Sequence, residues 1–198
     1  MSAPRSACAV GLVLAVATNA HAHDPDDPDA HRSMPNQVTA GVTVVCPGWY
    51  QLSSEPAETA HGATCIGASI AFAREVTRAF EVRVRAAYER PFFIAQEEPP
   101  SLHVWRATVA AALSAYRLGD VLTITVGPEV GVAGFAVDDR SPAWGLAFGW
   151  VVGVRPWVTY HAGLFAELGY GRAIAWSDEA TVESSTLGRV TLGWADRF

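Results

Sequence analysis

The sequence predicts an all-β chain, an eight-stranded antiparallel up-and-down β-barrel that crosses a membrane. Three observations predict it. From residue 37 onward, apolar residues recur at every second position in eight segments, the period of a strand and not of a helix. The charges of these segments fall on the opposite parity, together with many glycines. The connections alternate between tight turns and longer polar stretches, as a meander with loops at one end requires.

The segments follow in chain order. The first sets Val38, Ala40, Val42 and Val44 against Thr39, Gly41 and Thr43, and the second sets Ile66, Ala68, Ile70 and Phe72 against Gly67, Ser69, Ala71 and Ala73. In the third, Phe80, Val82, Val84, Ala86 and Tyr88 oppose Glu81, Arg83, Arg85, Ala87 and Glu89. A helix would mix these two sets around its circumference. The fourth has Trp105, Ala107, Val109, Ala111 and Leu113 opposite Arg106 and Thr108, and the fifth has Leu122, Ile124, Val126 and Val130 opposite Thr123, Thr125 and Glu129. Pro128 lies in the fifth, and because a closed barrel has no edge where a missing N–H is harmless, a bulge or local irregularity is expected there. The sixth sets Leu146, Phe148, Trp150 and Val152 against Ala147, Gly149 and Gly153. The seventh sets Val158, Tyr160, Leu164, Leu168 and Tyr170 against His161, Gly163 and Glu167. The eighth sets Val190, Leu192 and Trp194 against Arg189, Thr191 and Gly193.

Tight turns join segments two to three, four to five (Arg117 to Asp120) and six to seven (around Arg155 and Pro156). Longer loops cover 46 to 65, 90 to 103, 134 to 143 and 172 to 185. Two other readings compete. Residues 101 to 118 also fit an alanine-rich helix with Ser101 as N-cap and Gly119 just beyond its end, but one helix would break the alternation of turns and loops. A soluble lipocalin-type barrel would turn the apolar parity inward, where Phe, Trp and Tyr from eight strands would have to fill a narrow lumen. The small and charged residues suit a cramped interior better, so the apolar parity faces lipid.

The 198 residues are half hydrophobic, and their 14 basic residues, all arginine, are outnumbered by 20 acids for a formal charge of −6. This argues against a nucleic-acid partner, which wants a basic face. Residues 1 to 22 carry one arginine, Arg5, then the uncharged stretch 6 to 20 and the sequence Ala20, His21, Ala22. We read this as a secretory signal peptide cleaved after Ala22. Residues 23 to 36 then form an acidic flexible tail, and 37 to 198 the barrel. Export leaves Cys46 and Cys65, for which an oxidising compartment favours a disulfide. Closing that loop is worth about 3 kcal/mol in the chain-entropy model. No cysteine and histidine spacing supports a metal site, and no cofactor is expected.

The chain ends in alternating apolar residues through Leu192 and Trp194 to a terminal Phe198. This resembles the C-terminal strand signal of Gram-negative outer-membrane proteins, which the barrel-assembly machinery reads during insertion. Asp196 departs from that pattern, which prefers an aromatic or apolar residue there. Together with the leader and the meander, the ending makes residues 37 to 198 similar in architecture to the small eight-stranded outer-membrane barrels of the OmpA/OmpX type. The resemblance implies location in the cell outer membrane, with outer-membrane lipid and lipopolysaccharide as surroundings.

Eight strands enclose a space just wide enough for side chains to fill. Arg83, Arg85, Arg106 and Arg189 facing Glu81, Glu129 and Glu167 would form a paired plug, since an unpaired charge there is strongly penalised. The expected function is that of a non-enzymatic outer-membrane barrel with a side-chain-filled lumen, which contributes to envelope integrity or to interactions through its surface loops, where Trp49, Tyr50, Phe92 and Phe93 lie. A narrow channel for ions or small solutes is the alternative. A lipid A-modifying enzyme is the third reading, and it rests on His161 with Glu167, similar to the His/Ser/Glu sites of lipid A deacylases. Gly163 stands where that family's motif has serine, and parity points His161 into the lumen.

Overall fold

The computed structural model describes residues 36–45, 48–53, 58–93, 101–119, 121–137, 141–178 and 181–198. The stretches read as a leader and as an acidic tail, up to residue 35, and Cys46 lie outside the described residues. Nine strands occur among the rest: β1 (Asn36–Val45), β2 (Gly48–Ser53), β3 (Glu58–Thr77), β4 (Phe80–Phe93), β5 (Leu102–Leu118), β6 (Leu122–Val137), β7 (Ala143–Pro156), β8 (Ala162–Trp176) and β9 (Thr181–Arg197). All pairings are antiparallel, and no described residue is helical.

The ring nevertheless counts eight. β1 and β2 occupy the same place one after the other, each lying between β3 and β9. From β3 each strand pairs with its successor through to β9, and the β1–β9 seam closes the barrel, with Val38 opposite Asp196. Asn36 and Phe198 exchange backbone hydrogen bonds of 3.1 and 2.9 Å at the base of that seam. The segment 101 to 118 is strand β5 and not a helix.

Burial follows the parity of the sequence. Trp150 is 57% exposed and Leu164 50% on the outer face, whereas Arg155 is 2% and Glu81 1% exposed inside. An apolar exterior around a charged interior is the inverse of a water-soluble barrel, and it needs hydrocarbon outside. Tyr88, His103 and Trp105 stack on one another on that exterior, with Tyr88 Oη 2.6 Å from His103 Nδ1. They form part of an aromatic girdle near the loop end.

The strands are longer than the sequence pattern indicated. β5 and β9 have 17 residues each, and at roughly 3.3 Å per residue and ~40° tilt such a strand rises about 43 Å. The apolar band needs only ~25 Å. The surplus projects at the loop end, so most of the stretches read as loops are strand: β2 and β3 take 48–53 and 58–65, β4 runs to Phe93, β6 to Val137 and β8 to Trp176.

At the opposite end the connections are short: Arg78 and Ala79 join β3 to β4, and 119–121 join β5 to β6, with Gly119 at φ 52°. Residues 157–161 join β7 to β8, so Val158, Tyr160 and His161 lie in a turn and not in the seventh transmembrane segment. At Pro128 the ladder is locally irregular, as expected, but it has no bulge. Pro128 faces outward opposite Trp150, and the β5–β6 register is the same on both sides of it, from Ala110 opposite Glu129 to Leu113 opposite Val126. The ladder omits two pairs there without slipping. Adjacent Gly127 makes the fit possible: a Cβ would stand 2.1 Å from the Ala111 carbonyl oxygen. The register shift in this pair of strands falls instead between Ser114 and Tyr116.

Candidate functional site

Inward-facing residues arrange the lumen in three tiers. At the loop end, Tyr50, Leu102, Val104, Phe135 and Val182 pack with small alanines into a buried apolar plug, against which Phe93 and Val137 rest. Tyr50 meets Phe93 edge to face at 5.7 Å. At the turn end Trp157, Phe165 and Ala195 form a second buried cluster, and the Arg197 guanidinium lies 4.4 Å from the Trp157 ring centre. Between them the interior is ionic.

The middle tier is a single alternating row. Arg155 donates to both oxygens of Glu81 at 2.7 and 2.8 Å, and Arg83 donates to Glu81 at 2.5 Å. Glu167 accepts from both Arg83 and Arg85. Arg85 stands 3.5 Å from Glu129, to which Arg189 donates at 3.0 Å. Glu89 then lies 3.5 Å from Arg189 and 3.6 Å from Arg106 Nη2, and that same nitrogen donates to Thr186 at 3.3 Å. Five arginines and four glutamates thus alternate, with an arginine at each end. Below Arg155 the polar contacts continue through Gln37, which donates to Glu75, which in turn pairs with Arg117 at 2.5 Å near the turn-end opening.

The local reason is strand geometry. β4 presents Glu81, Arg83, Arg85 and Glu89 on one face because alternate residues of a strand share a side, and its partners reach in from β5, β6, β7, β8 and β9. Glycines leave the space. A Cβ at Gly169 would stand 3.0 Å from Arg189 Nη2, and one at Gly153 would stand 2.9 Å from Thr125 Oγ1 beside the Arg83 and Arg155 guanidiniums. Buried ions survive in such a space because each carboxylate faces two cations, which offsets the desolvation a lone charge would suffer.

All seven residues singled out in the sequence, Glu81, Arg83, Arg85, Arg106, Glu129, Glu167 and Arg189, lie in this row. Two members were missed. Glu89 shows the same parity as Glu81 and was readable; Arg155 was assigned to a turn, although β7 continues through Pro156 and its odd number matches Gly153. His161 corrects the reading that put it in the lumen. It is exposed in the β7–β8 turn, with Nδ1 3.3 Å from the Arg197 carbonyl oxygen, whereas Glu167 is engaged by two arginines. The two do not form a catalytic pair. Trp194 faces outward, 49% exposed, and Phe198 ends beside Asn36. Cys65 is buried on the lumen side, and its expected partner Cys46 lies outside the described residues.

No protein-family model matches the sequence, and no curated protein matches it. Solved structures do match. The crystal structure of Neisserial surface protein A superposes with a TM-score of 0.55 at 15% identity, covering 82% of this chain and 97% of that one. The outer-membrane protein OprG from Pseudomonas aeruginosa gives 0.59 at 14% identity, covering 82% and 95%. The fold is therefore that of the small outer-membrane β-barrels.

Proposed function

We propose that this chain is an exported, non-enzymatic outer-membrane barrel that passes no solute through its lumen. It contributes to the cohesion of the envelope and presents its projecting loop end to surface partners. One observation carries the reading: the unbroken row of nine alternating buried charges, with the apolar plug above it at the loop end. Moving an ion past it would require separating pairs that are each buried, and every separation leaves a charge uncompensated.

The remaining assignments follow from this reading. Cleavage after Ala22 delivers the chain for export, Trp194 and Phe198 act as the signal for the barrel-assembly machinery, and outer-membrane lipid and lipopolysaccharide surround the apolar face. Surface ligands would meet the loop end. A hydrolytic role lacks support, since His161 and Glu167 point to different surroundings and no serine stands at position 163.

Planar-bilayer recording tests the proposal. Purified protein is expected to insert without discrete conductance steps. Steps that vanish on changing Arg83 or Glu129 would establish a narrow channel instead. Lipid A from cells with and without the protein is expected to have the same mass, and a change in acylation would overturn the non-enzymatic assignment.

A further inference from the structure

The outer face carries a cation that the lumen row does not use. Arg172 is exposed on β8 between Tyr170 and Ile174, opposite Phe148 of β7. It makes no ion pair or hydrogen bond with any described residue. Beside it a groove of about 470 Å³ runs across β6, β7 and β8, walled by Pro128, Val130, Phe148, Trp150 and Tyr170.

Depth decides what such a groove can hold. Counted from Leu164 at the turn end, Arg172 is eight residues up β8. At ~3.3 Å per residue and ~40° tilt this is about 20 Å, just under the loop-side edge of a band ~25 Å tall. A guanidinium there reaches the headgroup layer by extending its aliphatic stem outward. The groove below remains in hydrocarbon, and its walls are apolar. A free anion has no reason to enter it, whereas a lipid phosphate brings its own acyl chain.

We infer that Arg172 and the Pro128–Trp150–Tyr170 groove form a binding site for a membrane lipid with an anionic phosphate headgroup in the loop-side leaflet. The guanidinium donates paired hydrogen bonds to the phosphate oxygens, and an acyl chain lies against Val130, Trp150 and Tyr170. Pro128 shapes the wall, as its ring replaces an N–H where the neighbouring ladder already omits two pairs. The site rests on the membrane-barrel reading above.

The test is native mass spectrometry of protein released from nanodiscs of equal phosphatidylglycerol and phosphatidylcholine. The wild type is expected to retain phosphatidylglycerol preferentially. Arg172→Gln is expected to lower that preference about tenfold, as loss of a charge-assisted pair implies, and Arg172→Lys to keep most of it. Arg90→Gln, which removes another exposed outward cation that does not line this groove, is expected to change nothing. Equal retention in wild type and Arg172→Gln, or an equal loss in Arg90→Gln, would overturn the site. An adduct with inorganic phosphate alone would also overturn it, since the lipid assignment predicts none. Failure of the wild type to enter nanodiscs at all would instead refute the membrane-barrel reading itself, and a heat-modifiability gel on each variant confirms that it is folded.

Discussion

Glu167→Gln is the sharpest perturbation of the interior, because this carboxylate is clasped by both Arg83 and Arg85. The substitution preserves shape and removes charge, leaving those two arginines on one face of β4, two residues apart. Guanidiniums about 7 Å apart repel by roughly 2.4 kcal/mol at an effective dielectric constant of ~20. Arg83 keeps Glu81 at 2.5 Å, but Arg85 is left with Glu129 at 3.5 Å. Adding the lost attraction, the variant is expected to be about 3–5 kcal/mol less stable, the usual cost of breaking a buried pair from one side. Equilibrium urea unfolding from lipid vesicles, followed by tryptophan fluorescence, measures it. Adding Arg85→Met should recover more than half of the loss, since the surplus cation goes with the missing anion. A single variant within about 1 kcal/mol of wild type, the range of an exposed ion pair, would refute the paired-row account. So would a double variant whose loss is the sum of the two single losses.

Other expectations follow from the same geometry. Gly169→Ala puts a methyl 3.0 Å from Arg189 Nη2, so the same titration should register a loss of about 1–3 kcal/mol from overpacking, and unchanged stability would mean the interior has room to spare. Phe135→Ala should cost about 3–5 kcal/mol because the ring is 1% exposed in the loop-end plug; a cost below about 1 kcal/mol would mean the projecting part of the barrel is not packed. For Cys46 and Cys65, alkylation of the exported protein followed by intact-mass measurement should add no label before reduction and two afterwards, and labelling of either thiol without reduction would rule out the bridge.

Much of this architecture is readable from residue types. The alternation of Phe80 to Glu89 fixes which side of β4 is ionic, and the short connections at Arg78 and Gly119 fix which end carries the turns. What escaped reading did so for separate local reasons. Above the membrane the lumen parity turns apolar, at Leu102, Val104 and Phe135, so a test for greasy-outside alternation ends the strands too early and hands β2 and the top of β3 to a loop. Arg155 escaped because a neighbouring proline suggested a turn, yet Pro156 is the last residue of β7. His161 was placed by extending the seventh segment backward through a five-residue turn, where parity has no meaning.

The charged row also constrains the order in which the molecule can be built. Arg83 meets Glu167 across 84 positions of chain, and Arg155 meets Gln37 across 118. In an uncurled sheet β4 is far from β8 and β9, so these partners stay apart until the hoop draws shut. An off-register closure would separate these partners and leave buried charges uncompensated. The ions therefore work as a combination lock on circumference and shear: they add little while the hairpins form, and they reward only the one alignment in which the last strand meets the first.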